Sequence, residues 1–406
     1  MTDSRVVRTR CCIVGGGPAG VMLGYLLARQ GLDIVVLEKH GDFFRDFRGD
    51  TVHPSTMTVL DELGILDDFL RIPHSEVVTL GGTIGRDTVT IADFTHVPAK
   101  TPFIALMPQW DFLNFLADRA RQFPGFTLMM NATGTEVIRE GSRVAGVRAS
   151  TPSGLIDIYA DLIVATDGRH STMRESLGIQ PLNIGAPMDV LWFRLDRDAT
   201  DRAAAFGYVG GGYIFITINR GDYWQCGFVI AKGSLDQLKA QGLETLRQKI
   251  VDVQPAFAGR VEKIASWDDV KLLSVAVDRL ETWFRPGILF IGDAAHAMSP
   301  VGGVGINLAI QDAVAAARLL APAFARPGLI ADEALAQVQR RRSFPVTMTQ
   351  RAQVFIQNRV VSSVLNASRP PDRAPALLRL VNAVPPLQRI PAQLVGIGVR
   401  PEHLDR

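Results

Sequence analysis

Cysteine is scarce: three occur in 406 residues, too few for a disulfide framework or a cysteine-built metal centre. Cys11 and Cys12 are neighbours in an apolar run, where a strand would send them to opposite faces, and Cys226 stands alone. All three read as small buried hydrophobes in a reducing, cytoplasmic protein without a metal site. Charge of one sign is missing too. Lys and Arg number 43 against 41 Asp and Glu, and the net +2 is too slight to draw nucleic acid or an anionic membrane. Uninterrupted apolar runs of membrane-spanning length are absent. Ile306 to Phe324 is broken by Gln311, Asp312 and Arg318 and reads as a core helix, so no integral membrane association is expected. Met1 to Arg10 is basic, yet the apolar residues after it break at Gly15 to Pro18, and no secretory signal is expected. Repeats and low-complexity tracts are also missing.

What is present begins at Ile13-Val14-Gly15-Gly16-Gly17-Pro18-Ala19-Gly20, a strand, a glycine turn and the start of an apolar helix to Gln30. Gly15 permits a sharp turn, Gly17 lets bare backbone approach a phosphate, and Gly20 lets helix and strand pack closely. The phosphates would sit on unpaired N–H groups at the positive end of the helix. A second strand, Ile34 to Leu37, ends in Glu38, where a carboxylate can accept from ribose hydroxyls and repel a 2′-phosphate. Strand, turn, helix and acid together point to a bound dinucleotide. They do not say which.

With 406 residues, two domains or one large composite are expected. Gly41 to Val52 is polar, and Arg48 in it is either a pyrophosphate clamp or a solvated loop charge. Ser55 is placed to cap a helix ended by Gly64. Short β-type runs at Glu76 to Leu80 and Thr88 to Asp93 are the first sign of a second sheet. Helical spacing returns over Asp111 to Arg121, just after Gln109, and strands follow at Phe126 to Met130, Thr135 to Ile138 and Val144 to Ala149. The buried strand Asp161 to Thr166 then ends in Asp167-Gly168, with Arg174 just beyond, at the strand edge where ligands of open α/β sheets gather. A plain capped turn is the other reading.

Aromatics make only 7% of the chain, yet Trp192, Phe193, Tyr208, Tyr213, Phe215, Trp224 and Phe228 all fall in a block of strands. Such residues build a core or line a face over an aromatic ligand. The strands are Asp189 to Leu195, Tyr213 to Asn219 and Tyr223 to Ala231, with one helix over Leu235 to Val251 after Ser234. A last buried strand delivers Gly292-Asp293, followed by His296 and the run Pro300-Val301-Gly302-Gly303-Val304-Gly305-Ile306-Asn307, which opens a helix. Bare N–H groups at a positive helix end stabilise negative charge in front of them. Helices are expected over Ala331 to Arg342 and from Ala374 to Val399, the tail packing against the body or touching a membrane or partner.

Gly15-x-Gly17-x-x-Gly20, Asp167-Gly168 and Gly292-Asp293 with the Pro300 glycine run, in that order, resemble the FAD-dependent aromatic hydroxylases. These are the single-component flavoprotein monooxygenases typified by para-hydroxybenzoate hydroxylase. The resemblance spans nearly the whole chain. It implies an α/β fold: a Rossmann-like FAD-binding domain (1–75, 104–184, 281–330), an inserted, mostly antiparallel β-sheet substrate domain (76–103, 185–280) and a helical C-terminal region (331–406).

It also implies roles. Gly15, Gly17, Pro18, Ala19 and Gly20 would hold the FAD pyrophosphate, Glu38 and Lys39 the adenosine end, and Arg48 and Gln109 would contact the cofactor. Asp167 and Gly168 would serve FAD and the nicotinamide donor, with Arg174 in support. Gly292 and Asp293 would meet the ribityl chain, and Pro300, Gly302, Gly303, Val304, Gly305, Ile306 and Asn307 would border the isoalloxazine. His296 would pack rather than transfer protons. The implied activity is hydroxylation of an aromatic or polyketide-like small molecule by way of a flavin C4a-hydroperoxide, using NADH or NADPH and O2. A monomer or homodimer is expected. No catalytic base can be matched; His53, Arg194, Tyr213 and Gln225 are candidates to face the substrate. The rivals are a halogenase or double-bond reductase of the same fold, or a non-catalytic FAD-binding regulator. Trp224-Gln225-Cys226 does not match the Trp-x-Trp-x-Ile-Pro stretch of such halogenases.

Overall fold

The computed structural model describes residues 5–44, 51–198, 200–201, 206–210, 212–365 and 372–404. Its main sheet is built on the strand Arg5–Val14, which pairs in parallel with Gly154–Ala165 on one side and Ile34–Leu37 on the other. Phe126–Met129 and Ile288–Phe290 extend the parallel set at either flank. Continuous apolar runs suit strands covered on both faces, and Cys11 to Val14 and Leu162 to Ala165 are all buried. The antiparallel strands Thr133–Glu140 and Arg143–Thr151 branch off Gly154–Ala165. The helix Pro18–Arg29 is apolar almost all round because it is buried from Ala19 to Ala28, packed among Gly305–Phe324, Gln109–Ala120 and the sheet.

A second sheet runs in the order Lys271–Leu273, Met188–Asp196, Tyr223–Ala231, Tyr213–Asn219, Phe206–Gly210, Thr79–Ile84, Asp87–Asp93. Alternation along its strands gives it two different faces. Phe193, Phe215, Trp224, Cys226 and Phe228 pack under the helices Leu235–Ala240 and Leu243–Val253. Val190, Trp192, Ile214 and Val229 on the other face pack with Val301 and Val361. That contact seats this sheet against the turn that follows Pro300.

Several elements differ from the sequence reading. Glu76 to Leu80 is two strands in two sheets: Ser75–Val77 joins a small sheet with Thr51–Val52 and Ile104–Leu106, and Thr79–Ile84 joins the second sheet. The helix over Leu235 to Val251 is interrupted at Gly242, whose φ of +92° ends one helix and starts the next. The helix placed over Ala331 to Arg342 is Asp332–Ile356, and Pro345 lies within it. Pro54 rather than Ser55 opens the helix Pro54–Glu62, and His53 is its N-cap. The tail helices Ala376–Ala383 and Pro385–Gly396 pack on Asp87–Asp93, and Glu402 is buried. Val301–Phe324 passes the length and hydropathy test for a membrane span, but 78% of its most apolar window is buried inside the protein.

Candidate active site

The motif residues leave the main sheet along one edge. Met129, Leu37, Val14, Ala165 and Phe290 stand in register across five parallel strands, so the chain segments after them emerge side by side at the carboxyl ends, where open α/β sheets bind ligands. Gly15 turns with φ +112°, and a Cβ there would lie 2.5 Å from the Thr166 carbonyl oxygen. Thr166 donates its hydroxyl to the Gly15 carbonyl at 2.7 Å, tying the two crossings together. A Cβ on Gly20 would lie 1.9 Å from the Gly15 oxygen, whereas one on Gly17 would meet nothing within 4 Å. Gly17 caps the helix that begins at Pro18 and Ala19 without a side-chain bond, leaving first-turn N–H groups for an anion.

The Glu38 carboxylate is buried and accepts from the Gly16 N–H at 3.1 Å and the His40 N–H at 3.0 Å. A Cβ on Gly16 would come within 2.8 Å of the Glu38 Cβ. Gly16 thus places the acid against the glycine turn, a role that its sequence position alone did not disclose. Lys39 is exposed beside it, and Gln109 opens the helix Gln109–Ala120 half-buried. Arg48 lies outside the described residues.

Asp167 accepts the Met173 N–H at 3.1 Å through Oδ2, while its Oδ1 is buried without a hydrogen-bond partner. Burial pushes its carboxyl above the ordinary value. Gly168 follows with φ +84°. Arg174 is buried and spans two motifs: it donates to the Ala294 carbonyl at 3.1 Å and to the Arg169 carbonyl. Arg169 in turn stands 3.7 Å from the half-exposed Asp293 carboxylate.

Behind Gly292 lies a polar core invisible in the motif pattern. Asp312 Oδ2 accepts the Gly292 N–H at 3.0 Å and meets His296 Nε2 at 2.6 Å, and Oδ1 accepts from Arg342 Nε at 2.8 Å. Burial alone would raise the Asp312 carboxyl, but His296 and Arg342 hold it below the usual carboxylate range. Glu402, also buried, completes the cluster with Arg342, Arg341 and Arg318. The only sequence signal was that acid and base interrupt an apolar helix.

The glycine run is held by the segment before Pro54. Thr51 Oγ1 donates to the Gly303 carbonyl at 2.7 Å, and a Cβ on Gly303, at φ +65°, would lie 2.7 Å from the same hydroxyl. Asn307 Oδ1 accepts from the His53 N–H at 2.9 Å and the Thr56 hydroxyl at 2.7 Å, and its amide donates to the Thr51 carbonyl. Pro300, Gly302 and Val304 complete the turn, and Gly305 and Ile306 start the helix Gly305–Phe324. That helix also starts without a side-chain cap. His53 donates Nδ1–H to the Val395 carbonyl at 2.7 Å, which leaves Nε2 bare, buried and unpartnered. Burial lowers its pKa to about 4.

Of the substrate candidates, Arg194 and Gln225 are cross-strand neighbours on the sheet face that also carries Trp192. Arg220 donates to Gln225 at 3.1 Å, and Arg194 lies over the Tyr223 ring. Tyr213 is on the opposite face: it stacks on Phe228 at 5.1 Å and accepts from Lys249 at 2.6 Å. Most of the aromatic block is therefore core. Trp192 is the exception, packed over Gly227 and in the cluster that holds Val301.

Two helix starts and a ribose-side acid converging on one sheet edge define a dinucleotide-binding flavoprotein fold. The residues present fit FAD: the space before Gly17 admits a pyrophosphate, and the orphaned Asp167 Oδ1 lacks only a donor. A family model described as "FAD binding domain" matches residues 8–331. The 6-methylpretetramide 4-monooxygenase of Streptomyces rimosus is 32% identical, over 87% of this chain and 85% of its own. Several other curated relatives are longer, and the chain spans 61% to 65% of their length. Among solved structures, a probable FAD-dependent monooxygenase from Pseudomonas aeruginosa superposes with TM-score 0.73 at 22% identity, covering 88% of this chain and 97% of that one. A flavin-dependent brominase reaches 0.75 at 14% identity over 96% and 94%, a likeness of fold alone. The chain belongs to this FAD-binding family and is an FAD-dependent monooxygenase.

Proposed function

We propose that this enzyme hydroxylates a polycyclic, polyketide-like aromatic, with NADH or NADPH as reductant and O2 as oxidant. The observation that carries the reading is the sheet face of Trp192, Ile214 and Val229 packed onto Val301, which sets an apolar wall beside the Pro300–Gly305 turn. The 32% identity to the 6-methylpretetramide enzyme supports the substrate class. Bound FAD supplies hydride acceptance and oxygen activation; the chain binds, orients and excludes water. Gly15, Gly17 and Gly20 with the start of the helix at Pro18 would hold the pyrophosphate, Glu38 the adenosine ribose, and Asp293 the ribityl hydroxyls. The N–H groups at Gly305 and Ile306 would face the electron-rich end of the ring. Gln225 and Arg194 are the polar groups on the substrate face that would orient a phenol or ketone.

In this reading residues 1–75, 104–184 and 281–330 carry the flavin, 76–103 and 185–280 roof the substrate, and 331–406 buttress both. The protein would act in the cytoplasm as a monomer or homodimer. The test is NAD(P)H oxidation by the FAD-loaded protein in the presence of aromatic polyketides and simple phenols, with the product's mass determined. A gain of one oxygen on a polycyclic aromatic supports the proposal; turnover of monocyclic phenols alone overturns the substrate class, and chlorine or two added hydrogens overturns the reaction.

A further inference from the structure

Three glutamines that no motif contains carry the segment leading into the Pro300 turn. They lie at positions 350, 353 and 357, spacings of three and four that put them on one face of the helix Asp332–Ile356 and its continuation. Gln350 donates to the Asp278 carbonyl at 2.8 Å and the Ala297 carbonyl at 3.1 Å. Gln353 donates to the Ser299 carbonyl at 2.9 Å and the Val301 carbonyl at 2.8 Å, and accepts the Ser299 N–H at 3.2 Å. Gln357 donates to the Ser299 hydroxyl at 2.7 Å, which itself accepts the Val301 N–H at 3.2 Å. All three side chains are buried, so each bond forms where water cannot replace it.

The helix thus serves Ser299 and Val301 as a neighbouring strand would, continuing beyond the point where the pairing of Ala297 with Asp278 ends. Gln357 also opens a π-helical turn, Gln357–Val361, a form common at functional sites. Val361, at the end of that turn, packs with Val190, Trp192, Val229 and Val301. One element therefore touches both the substrate face and the turn after Pro300.

We infer that Gln353 and Gln357 are positioning residues that set the Pro300–Gly303 turn in register with the substrate face, and so keep NAD(P)H oxidation coupled to oxygen transfer. The inference rests on FAD lying against that turn. Neither glutamine touches the reacting atoms in this account; both act through Ser299 and Val301.

The test compares Gln353→Leu and Gln357→Met with Met348→Gln, a change on the exposed side of the same helix. Amide exchange is measured on the proteins without FAD, FAD affinity by fluorescence quenching, and coupling as product formed per NAD(P)H consumed. The expected result is exchange at Ser299 and Val301 faster by about tenfold or more, weaker FAD binding and a lower coupling ratio, with Met348→Gln unchanged. Folded variants with unaltered exchange, FAD affinity and coupling overturn the inference. Global unfolding of both glutamine variants overturns it too, since it would make them ordinary core residues. Exchange and FAD affinity need no turnover, so they stand even if the substrate proposal fails.

Discussion

Asp312 and His296 meet at 2.6 Å with neither side chain exposed. The same carboxylate holds the Gly292 N–H and the Arg342 guanidinium, so one buried acid links the Gly292-Asp293 turn to the long C-terminal helix. Asp312→Leu would leave the Arg342 charge buried with Glu402 as its remaining partner among the described residues. Removing one partner of such a pair costs about 3–5 kcal/mol, and urea titration should show a loss of that order. The carboxyl is held low in the fold, so its contribution is present above the ordinary carboxylate range and is lost as pH falls through the lower folded value. Wild-type stability should therefore drop in acid more steeply than that of Asp312→Leu.

Stability is also lost on acidification through His53, but in a higher pH window and for a different cause. Its pKa falls from 6.5 to about 4 on folding because burial disfavours the charged ring. The unfolded chain takes up the proton first, so stability is full above pH 6.5 and declines as pH falls toward 4. At about 1.4 kcal/mol per unit the loss across that window is on the order of 3 kcal/mol. His53→Asn keeps a donor for the Val395 carbonyl and removes the titration. Its melting temperature should be flatter between those pH values; an equally steep profile would show that His53 is not the group responsible.

The motif glycines should separate into two kinds. Gly15→Ala and Gly20→Ala each force a Cβ to within 2.5 Å and 1.9 Å of backbone oxygen, and both should lower thermal stability or prevent folding. Gly17→Ala meets nothing within 4 Å and keeps an ordinary φ of −74°, so the protein without FAD should melt nearly as wild type. Its defect should be in FAD affinity, about tenfold or more, about 1.4 kcal/mol. Equal loss of stability in all three would show that Gly17 too is only a packing position.

The parallel sheet was legible because its strands carry apolar runs, and those ending at Val14, Leu37, Ala165 and Phe290 lead within two residues to glycine or acid, a local pattern. The hairpin strands Tyr213–Asn219 and Tyr223–Ala231 were legible for the same reason. What could not be read depends on partners far along the chain. Tyr213 and Gln225 look alike as polar positions among apolar ones, and only the register of the strands with the helix Leu243–Val253 decides that Tyr213 faces the core. The helix expected over Ala331 to Arg342 runs on to Ile356 with Pro345 accommodated inside it, although proline ordinarily breaks a helix. Asp312 and Glu402 carry no spacing rule, and the spacing of the three glutamines shows only that they share a helix face. Their meaning lies in bonds that span from 16 to 84 residues.

Asp167 offers the sharpest separation of binding from folding. Its Oδ2 accepts the Met173 N–H at 3.1 Å and so supports the helix Thr172–Ser176, while Oδ1 is buried with no donor. Asp167→Asn can keep the first bond through its amide oxygen and puts an N–H pair where the orphaned acceptor stood. The change also removes a carboxyl whose ionised form burial disfavours, so stability without ligand should stay the same or rise. A ribose hydroxyl or other donor that fills this position would meet a donor instead, and affinity for FAD or for the nicotinamide should fall by about tenfold, equivalent to about 1.4 kcal/mol. Flavin fluorescence titration and the NAD(P)H KM of the loaded enzyme tell the two ligands apart. If both are unchanged while the melting temperature rises, the orphaned oxygen is a strain of the fold and not a contact for either nucleotide.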